Sequence, residues 1–489
     1  MTIQSLLSDL GVPGKHPLPP FPPTFLFGVG TADHQCEAYD PDVEDVRDVW
    51  EREHHLTPRG RATDFRNRYR EDIELARQMG CTAFRISIAW SRVEPEPGVF
   101  SRAELEHYQR VVIAIREADM EPVVTLHHFT WPLHIETRGG MICPDFPELY
   151  GRYVLEVVRY LGQDVRYWIP FNEPSQLLFG YIKPWWVDEY FAPPGMPPDS
   201  TMDDEIDAVG HLIHNLFVAH TKARTIIKQN NSQAQVGSNP LLLGLPIWLQ
   251  RFVNWNAMRL QNMTDLRLRL RGCGTPPPIP AVIKESPLLG ERLRRLFEPM
   301  IKTYTILSTI IASNWWHLGM AGKLPTFLCP PECVGQQDFV GVDYYWGIGS
   351  LQLNRVGALL ESSRGHFDHA PVWPTALYGH LKYLAGLFPK LPLLIVENGS
   401  VDTADGIDRV SYLRKHIEQV QLALHHHIDV IGYLCWSITS NREWGLPFNP
   451  GSDFGLYHID LDGSPNLERT PTPAVLAYKS IISGGKTLA

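Results

Sequence analysis

Two glutamates stand where an apolar stretch of the chain ends, and a pair of glutamates can perform acid–base and nucleophilic chemistry. Glu173 follows the stretch 167–171, and Glu397 follows the stretch 393–396. Charged side chains are rarely buried unless they are paired or functional. A structural ion pair explains either glutamate taken alone. Together, one protonated and the other ionised, they are the machinery of glycosidic bond hydrolysis.

The two stretches belong to a series of eight short apolar stretches, separated by segments with helical periodicity. Continuous rather than alternating apolarity is typical of strands buried on both faces, as in a parallel sheet. The eight predicted strands are 25–29, 83–88, 122–126, 167–171, 234–237, 339–342, 393–396 and 430–434. This alternation predicts an α/β fold, with residues 1–489 forming one domain, a single (β/α)8 TIM barrel.

The segments between the strands predict the outer helices of such a barrel. Asp64 is positioned to cap a helix that ends at Gly80. Residues 104–120 and 146–161 have similar helical patterns. Because active sites of these barrels lie at the C-terminal ends of the strands, both glutamates are expected at one mouth.

Composition narrows the class of protein further. A net charge of −10 argues against a dedicated nucleic-acid binder, which needs a basic surface. Seven cysteines spread along the chain fit reduced thiols in the cytoplasm better than a disulfide framework. We see no secretory signal and no apolar stretch of membrane-spanning length. The sequence predicts no bound metal and no cofactor.

The motifs around the two glutamates make the prediction specific. RYWIPFNEP (166–174) and LIVENG (394–399) resemble the acid/base and nucleophile motifs of glycoside hydrolase family 1, the β-glucosidase-like family. Other segments resemble this family in the expected order along nearly the whole chain. They are 25–37, 84–92, 214–220, 338–341 and 436–444.

The resemblance implies a role for each matching residue. Glu173 would be the acid/base and Glu397 the nucleophile, with Arg85 holding Glu397 ionised and Tyr345 donating a hydrogen bond to it. Asn172 would bind the sugar 2-hydroxyl. The remaining sugar contacts would come from Gln35, His128, Trp436, Glu443 and Trp444, with Trp436 as the apolar platform under the ring.

Several positions depart from the family pattern and identify the chain as a divergent member. Asp343 stands where the family usually has asparagine, so a further carboxylate near the pair would perturb the pKa values of both glutamates. The other departures are Phe129 for tryptophan, Thr130 for aspartate, Ser440 for aspartate, Arg442 for an aromatic residue and Asp453 for arginine. These changes affect substrate identity more than reaction type. Because Glu443 is kept, a neutral glycone is favoured over a 6-phosphosugar.

One segment, 241–311, interrupts the strand–helix alternation as a basic insertion. It contains ten lysines and arginines against four acidic residues in an otherwise acidic protein. It is interpreted either as an elaborated barrel loop with solvated helices or as a basic surface for an anionic partner. A peripheral contact with a membrane leaflet is one such partnership.

The prediction is therefore a retaining exo-β-glycosidase that acts on terminal glucosyl, galactosyl or related residues of a small β-glycoside. Two alternatives remain open at this stage. A transglycosylase would pass the sugar to another sugar or a glycolipid. A catalytically reduced protein would bind sugar without turning it over.

Overall fold

The computed structural model describes most of the chain. The described residues are 18–181, 196–197, 199–200, 202–244, 315–324, 326–349, 352–362 and 364–484. The predicted insertion 241–311 therefore lies outside the described residues except for its first four, which form a strand of the main sheet.

Nine parallel strands form the main sheet. They are β1 (Leu26–Gly30), β2 (Ala83–Ser87), β3 (Glu121–Thr125), β4 (Tyr167–Ile169), β5 (Gln235–Val236), β6 (Leu241–Gly244), β7 (Val340–Gly347), β8 (Leu393–Asn398) and β9 (Val430–Cys435). Their order is β5-β4-β3-β2-β1-β9-β8-β7-β6. Every residue of β2 and β8 is buried, as continuous apolarity predicted.

The strands at the two ends of this order, β5 and β6, are consecutive pieces of one chain segment, and this segment joins the sheet's ends. On one side the amide of Gly237 donates to the carbonyl of Trp168 (3.0 Å). On the other side Gly341 donates to Ser238 (3.1 Å). Because Pro240 has no amide hydrogen, it interrupts the ladder between the two pieces. The predicted (β/α)8 barrel is thus confirmed, with a fifth strand split into β5 and β6.

Helices cover the outside of the barrel. The long ones are α3 (Phe65–Met79), α5 (Arg102–Glu117), α7 (Phe146–Leu161), α8 (Met202–Asn230), α11 (Pro374–Leu387), α12 (Arg409–His425) and α13 (Pro473–Ile482). The short ones are α1 (Asp33–Cys36), α2 (Val46–Glu53), α4 (Trp90–Val93), α6 (Leu133–Glu136), α9 (Trp315–Met320) and α10 (Val356–Ser362). A small antiparallel pair, β10 (Tyr457–His458) and β11 (Thr470–Pro471), follows the last barrel strand.

The amphipathic pattern of the long helices explains how they pack. In α7 the residues at helical spacing, including Tyr150, Val154, Val157 and Leu161, are buried in the core between helix and sheet. In α3 the prediction was right about the end, since Gly80 adopts a left-handed conformation with φ +89°. The helix also begins directly after Asp64, but the predicted side-chain cap is absent. Asp64 has φ +55°, and its carboxylate accepts from the Asn67 amide instead of capping the helix backbone.

Two further predictions can be compared with the described part of the chain. Six cysteines fall within it, and all six are buried and unpaired. Among the described helices, none combines the length and the apolar character needed to cross a bilayer.

Candidate active site

The two glutamates predicted to act together lie at the same end of the barrel. Glu397 is on β8, and Glu173 follows β4 after a short turn. One oxygen of each carboxyl group lies within 4.8 Å of the other, and both side chains are buried. Glu173 has φ +35°, a backbone conformation that costs energy for a residue with a Cβ and that collects at functional sites.

Glu397 is held by donors on both of its oxygens. The Arg85 guanidinium contacts Oε1 in a buried ion pair, and the Tyr345 hydroxyl donates to Oε2 at 2.6 Å. Arg85 is itself oriented by Thr125, whose hydroxyl accepts from Nε at 2.9 Å. Two donors, one of them a cation, favour the ionised form of a carboxyl group.

Glu173 is in the opposite situation. Burial raises the pKa of Glu173 well above its usual range, and the negative charge of Glu397 raises it further. Arg85 opposes this shift only in part. The neighbouring carboxyl groups therefore differ: Glu397 accepts from two donors, one of them a cation, whereas a protonated form is favoured at Glu173.

Asn172 connects Arg85, the ion-pair partner of Glu397, to Asn239. Its Oδ1 accepts from Arg85 Nη2 (2.6 Å) and from the Asn239 amide (2.6 Å). These bonds fix the orientation of the amide and leave Nδ2 pointing towards His128, whose Nε2 lies 3.4 Å away. Asn239 was not predicted as a site residue, although it is a polar residue shortly after the predicted fifth strand 234–237, the same signal that identified Glu173.

The predicted sugar-binding residues surround a second part of the same mouth. The His128 imidazole stacks against both Trp436 (ring centroids 5.9 Å apart) and Trp444 (5.8 Å). Gln35 Nε2 donates to Asn441 at 3.4 Å. In the described part of the chain, Gln35 Oε1, His128 Nδ1 and Glu443 Oε1 are buried without a hydrogen-bond partner. Buried polar atoms of this kind are suited to bind the hydroxyl groups of a ligand.

Glu443 differs electrostatically from an ordinary surface glutamate. Burial raises its pKa to about 8, although a hydrogen bond from Trp436 opposes the shift. Near neutral pH the group is therefore largely protonated in the free protein. It can then donate one hydrogen bond to a neutral sugar and accept another.

The departures from the family pattern have clear places in the structure. Phe129 packs edge-on against Trp444 (5.2 Å) and offers no indole N–H to a ligand. The Thr130 hydroxyl donates to Asp33 at 3.0 Å. Ser440 donates to Asp453 (2.8 Å), and Arg442 bonds Asp462 (2.5 Å). Ser440, Arg442 and Asp453 thus connect the loops around the site through side-chain hydrogen bonds.

A buried charged network behind Trp444 was not predicted, because its members share no motif. His34 stacks on the Trp444 indole at 5.7 Å, with Nδ1 3.0 Å from Asp45 and Nε2 3.2 Å from Glu51. Arg47 Nη2 donates to the Trp444 carbonyl at 2.8 Å. Trp444 itself has φ +43°. The network therefore supports a strained backbone position beneath the proposed sugar-binding indole.

This network predicts a pH-dependent stability. Burial lowers the pKa of His34, but Asp45 and Glu51 outweigh burial and raise it from 6.5 to about 10. The folded protein then holds a proton that the unfolded chain releases. The stabilisation is complete below pH 6.5 and is lost as pH rises through 10. Urea unfolding between pH 6 and 10 should show the loss, with a slope of at most ~1.4 kcal/mol per pH unit.

The matched control is His34→Gln, which keeps a polar side chain but cannot titrate. The difference in unfolding free energy between the two proteins should shrink steadily across this range. A difference that stays constant with pH would contradict a protonated His34.

Two glycines allow the close packing of Trp436, the predicted platform residue. A Cβ on Gly399 would lie 1.8 Å from the Trp436 carbonyl oxygen, and one on Gly30 would lie 3.1 Å from its ring. We expect Gly399→Ala to cost ~1–3 kcal/mol or more, because the backbone just after β8 or just after β9 must move. Thermal unfolding measures this cost. Gly357→Ala, where nothing lies within 4 Å of the added Cβ, should be nearly neutral.

Two groups of side chains have the spacing of metal ligands, namely Glu173 with Asp343 and Glu397, and His34 with Asp48 and Glu51. In the first group, Arg85 and Tyr345 already occupy both oxygens of Glu397. In the second, Arg59 bonds Asp48 at 2.6 Å and Glu51 bonds His34. These contacts give both groups a role without an ion, and the expectation of no metal stays a prediction.

Comparison with known proteins gives a consistent result. The family model described as Glycosyl hydrolase family 1 matches residues 18–243 and 360–486. The chain is 26% identical to "Myrosinase 1" of Brevicoryne brassicae, over 95% of this chain and 99% of that protein. It is 25% identical to "Beta-glucosidase 42" of Arabidopsis thaliana, over 98% and 97%. A solved β-glucosidase from Thermotoga maritima has the same fold, with a TM-score of 0.68 and 21% identity over 96% and 99%.

Proposed function

The chain belongs to glycosyl hydrolase family 1, and from this premise we propose that it is a retaining exo-β-glycosidase acting on terminal β-linked neutral sugars. The observation that carries the proposal is the separation of its two carboxyl groups. Oxygens of Glu173 and Glu397 lie within 4.8 Å. Retaining enzymes place the groups about 5–5.5 Å apart, whereas inverting enzymes leave about 6.5–9.5 Å for a water molecule.

In the first step Glu173 donates its proton to the glycosidic oxygen while Glu397 attacks the anomeric carbon. The bond to the leaving group breaks, and the sugar becomes an ester of Glu397. Arg85 and Tyr345 orient the attacking carboxylate. The free Nδ2–H of Asn172 donates to the sugar 2-hydroxyl, a contact that strengthens as positive charge develops on the ring.

In the second step the electrostatics of the pair reverse. Esterified Glu397 has lost its negative charge, and this charge was one of the causes of the raised pKa of Glu173. Glu173, which gave up its proton in the first step, is now more easily kept ionised. It accepts a proton from water as the water oxygen attacks the anomeric carbon and the ester bond to Glu397 breaks, which returns the Glu397 carboxylate. Two inversions leave the product with the configuration of the substrate.

The sugar specificity follows from the second part of the site. Trp436 provides the apolar face for the ring, and Gln35, His128, Glu443 and Trp444 bind its hydroxyl groups. A largely protonated Glu443 suits a neutral glycone. Because it carries no charge, it does not by its charge select between sugars that differ in the configuration of a hydroxyl group. The relatives named as β-glucosidases support a glucosyl residue at this position.

The proposal is tested with a panel of nitrophenyl β-glycosides, of which at least one is expected to be cleaved. Proton NMR of the reaction should show the β-anomer of the sugar forming first and mutarotating later. An α-anomer formed first would contradict the retaining mechanism. Binding of sugars without any turnover would favour the sugar-binding alternative.

The transfer alternative uses the same ester of Glu397 and differs only in the acceptor. Adding sugar or glycolipid acceptors at a constant concentration of the donor glycoside distinguishes transfer from hydrolysis. A hydrolase releases nitrophenol at an unchanged rate and yields free sugar. A transglycosylase releases nitrophenol faster and yields the glycosylated acceptor.

A further inference from the structure

A third carboxyl group lies against the two proposed catalytic ones, and we propose that Asp343 carries a proton and positions this pair by donating a hydrogen bond to it. The inference rests on the proposed function for its catalytic consequence. Asp343 is on β7, directly beside Glu397 on β8 in the strand register. One oxygen each of Asp343, Glu173 and Glu397 lies within 4.8 Å of the other two.

The hydrogen bonds around Asp343 identify the oxygen that must carry the proton. The Asn239 amide donates one hydrogen to Asp343 Oδ2 (2.5 Å) and the other to Asn172 Oδ1 (2.6 Å). Asp343 Oδ1 is buried and has no hydrogen-bond partner among the described residues. An ionised oxygen buried in this way would pay the full cost of desolvation. A proton on Oδ1 instead makes it a donor, in a site where an oxygen each of Glu173 and Glu397 lies within 4.8 Å of an Asp343 oxygen.

The local charge count leads to the same state. Asp343 is faced by Glu397 on β8, Glu173 after β4, Arg85 on β2 and Tyr345 on its own strand. Three ionised carboxylates against one guanidinium would leave two uncompensated buried charges. With protons on Glu173 and Asp343, Glu397 and Arg85 form a neutral pair.

The electrostatic environment of Asp343 also favours its protonated form. Burial raises the pKa of Asp343 well above its usual range, and the charges of Glu397 and Glu173 raise it further. Arg85 and the hydrogen bond from Asn239 oppose the shift. A neutral aspartic acid at this position offers one acceptor, Oδ2, and one donor, Oδ1–H, as an asparagine side chain offers an acceptor and a donor. Unlike an amide, it can lose the donor at high pH.

Two substitutions separate the donor from the charge. Asp343→Asn keeps a donor that cannot ionise, and Asp343→Leu removes the donor without adding charge. At the pH optimum, Asp343→Asn should keep kcat/KM within a few-fold and leave the acid limb of the pH profile in place. Asp343→Leu should lose ~10–100-fold, the range for a hydrogen bond to a charged group. Its acid limb should move to higher pH, because the ionised nucleophile has lost a donor.

A direct measurement of the proton avoids turnover altogether. The infrared difference spectrum of the wild-type protein minus Asp343→Asn, at the pH optimum, should contain the C=O band of a protonated carboxyl group. Absence of this band overturns the proposal. So does an acid limb of Asp343→Asn that moves about one pKa unit or more to lower pH, since this would reveal a lost negative charge. Equal pH profiles for the asparagine and leucine variants would overturn the donor role.

The infrared result stands even if no β-glycoside is cleaved. Failure of the proposed function and failure of this inference are therefore distinguishable.

Discussion

Replacing Glu397 with alanine is expected to lower kcat/KM for nitrophenyl β-glycosides by at least ~10³-fold, about 4 kcal/mol of transition-state stabilisation. The carboxylate is the proposed nucleophile, and each of its two oxygens contacts a supporting donor, Arg85 or Tyr345. The substitution removes the partner of Arg85, whose guanidinium is fully buried. Loss of a buried partner destabilises a protein, so Glu397→Gln is examined beside it to keep an acceptor for Arg85.

Chemical rescue distinguishes a lost nucleophile from a damaged fold. The cavity left by Glu397→Ala should admit a small anion such as azide, which attacks the anomeric carbon once and cannot be displaced. The expected product is an α-glycosyl azide, formed by a single inversion. The matched control is Glu106→Ala on an exposed helix surface, whose activity should equal that of the wild type. Activity above a tenth of wild type in Glu397→Ala would contradict the nucleophile assignment.

The barrel could be predicted because its signal is local. Each strand is a short run of apolar residues, and the run 393–396 became β8 with two more residues, Glu397 and Asn398. The fifth strand was only half predicted. Pro240 hides its second piece, because a proline within an apolar stretch argues against a strand. The pairing that keeps β6 in the barrel comes from β7, about a hundred residues later in the chain.

The site could be predicted where a residue closes a strand, and could not where side chains meet across the sequence. Asp343 was recognised only as a departure from a motif. Its significance depends on Asn239, between β5 and β6, whose amide donates its two hydrogens to Asp343 and Asn172. The contacts of His34 with Asp45 and Glu51 also follow no sequence periodicity from which they could be predicted. Buried polar networks of this kind are set by packing in three dimensions.

Replacing Glu173 with glutamine is expected to produce losses that depend on the leaving group. Alkyl β-glycosides need a proton on the departing oxygen, so their kcat/KM should fall by ~10²–10⁴-fold. Dinitrophenyl β-glycosides have a leaving group that departs as a stable anion, and their first step should be nearly unaffected. The second step still needs a base to activate water. The ester of Glu397 should therefore accumulate, giving a rapid burst of dinitrophenol followed by slow turnover.

The pH profile shows the direction in which kcat/KM changes when Glu173 loses its proton. Burial and Glu397 raise the pKa of Glu173, so the acid is present at low pH and is lost as pH rises through that value. The wild-type kcat/KM for alkyl glycosides should therefore fall on the alkaline side, and this limb should disappear in Glu173→Gln. Mass spectrometry of the quenched burst should find the protein heavier by one sugar residue, attached to the peptide that contains Glu397. Equal losses for alkyl and dinitrophenyl substrates would show that Glu173 does not act as the proton donor. The Glu397 assignment would be unaffected, because azide rescue tests the nucleophile without requiring an acid.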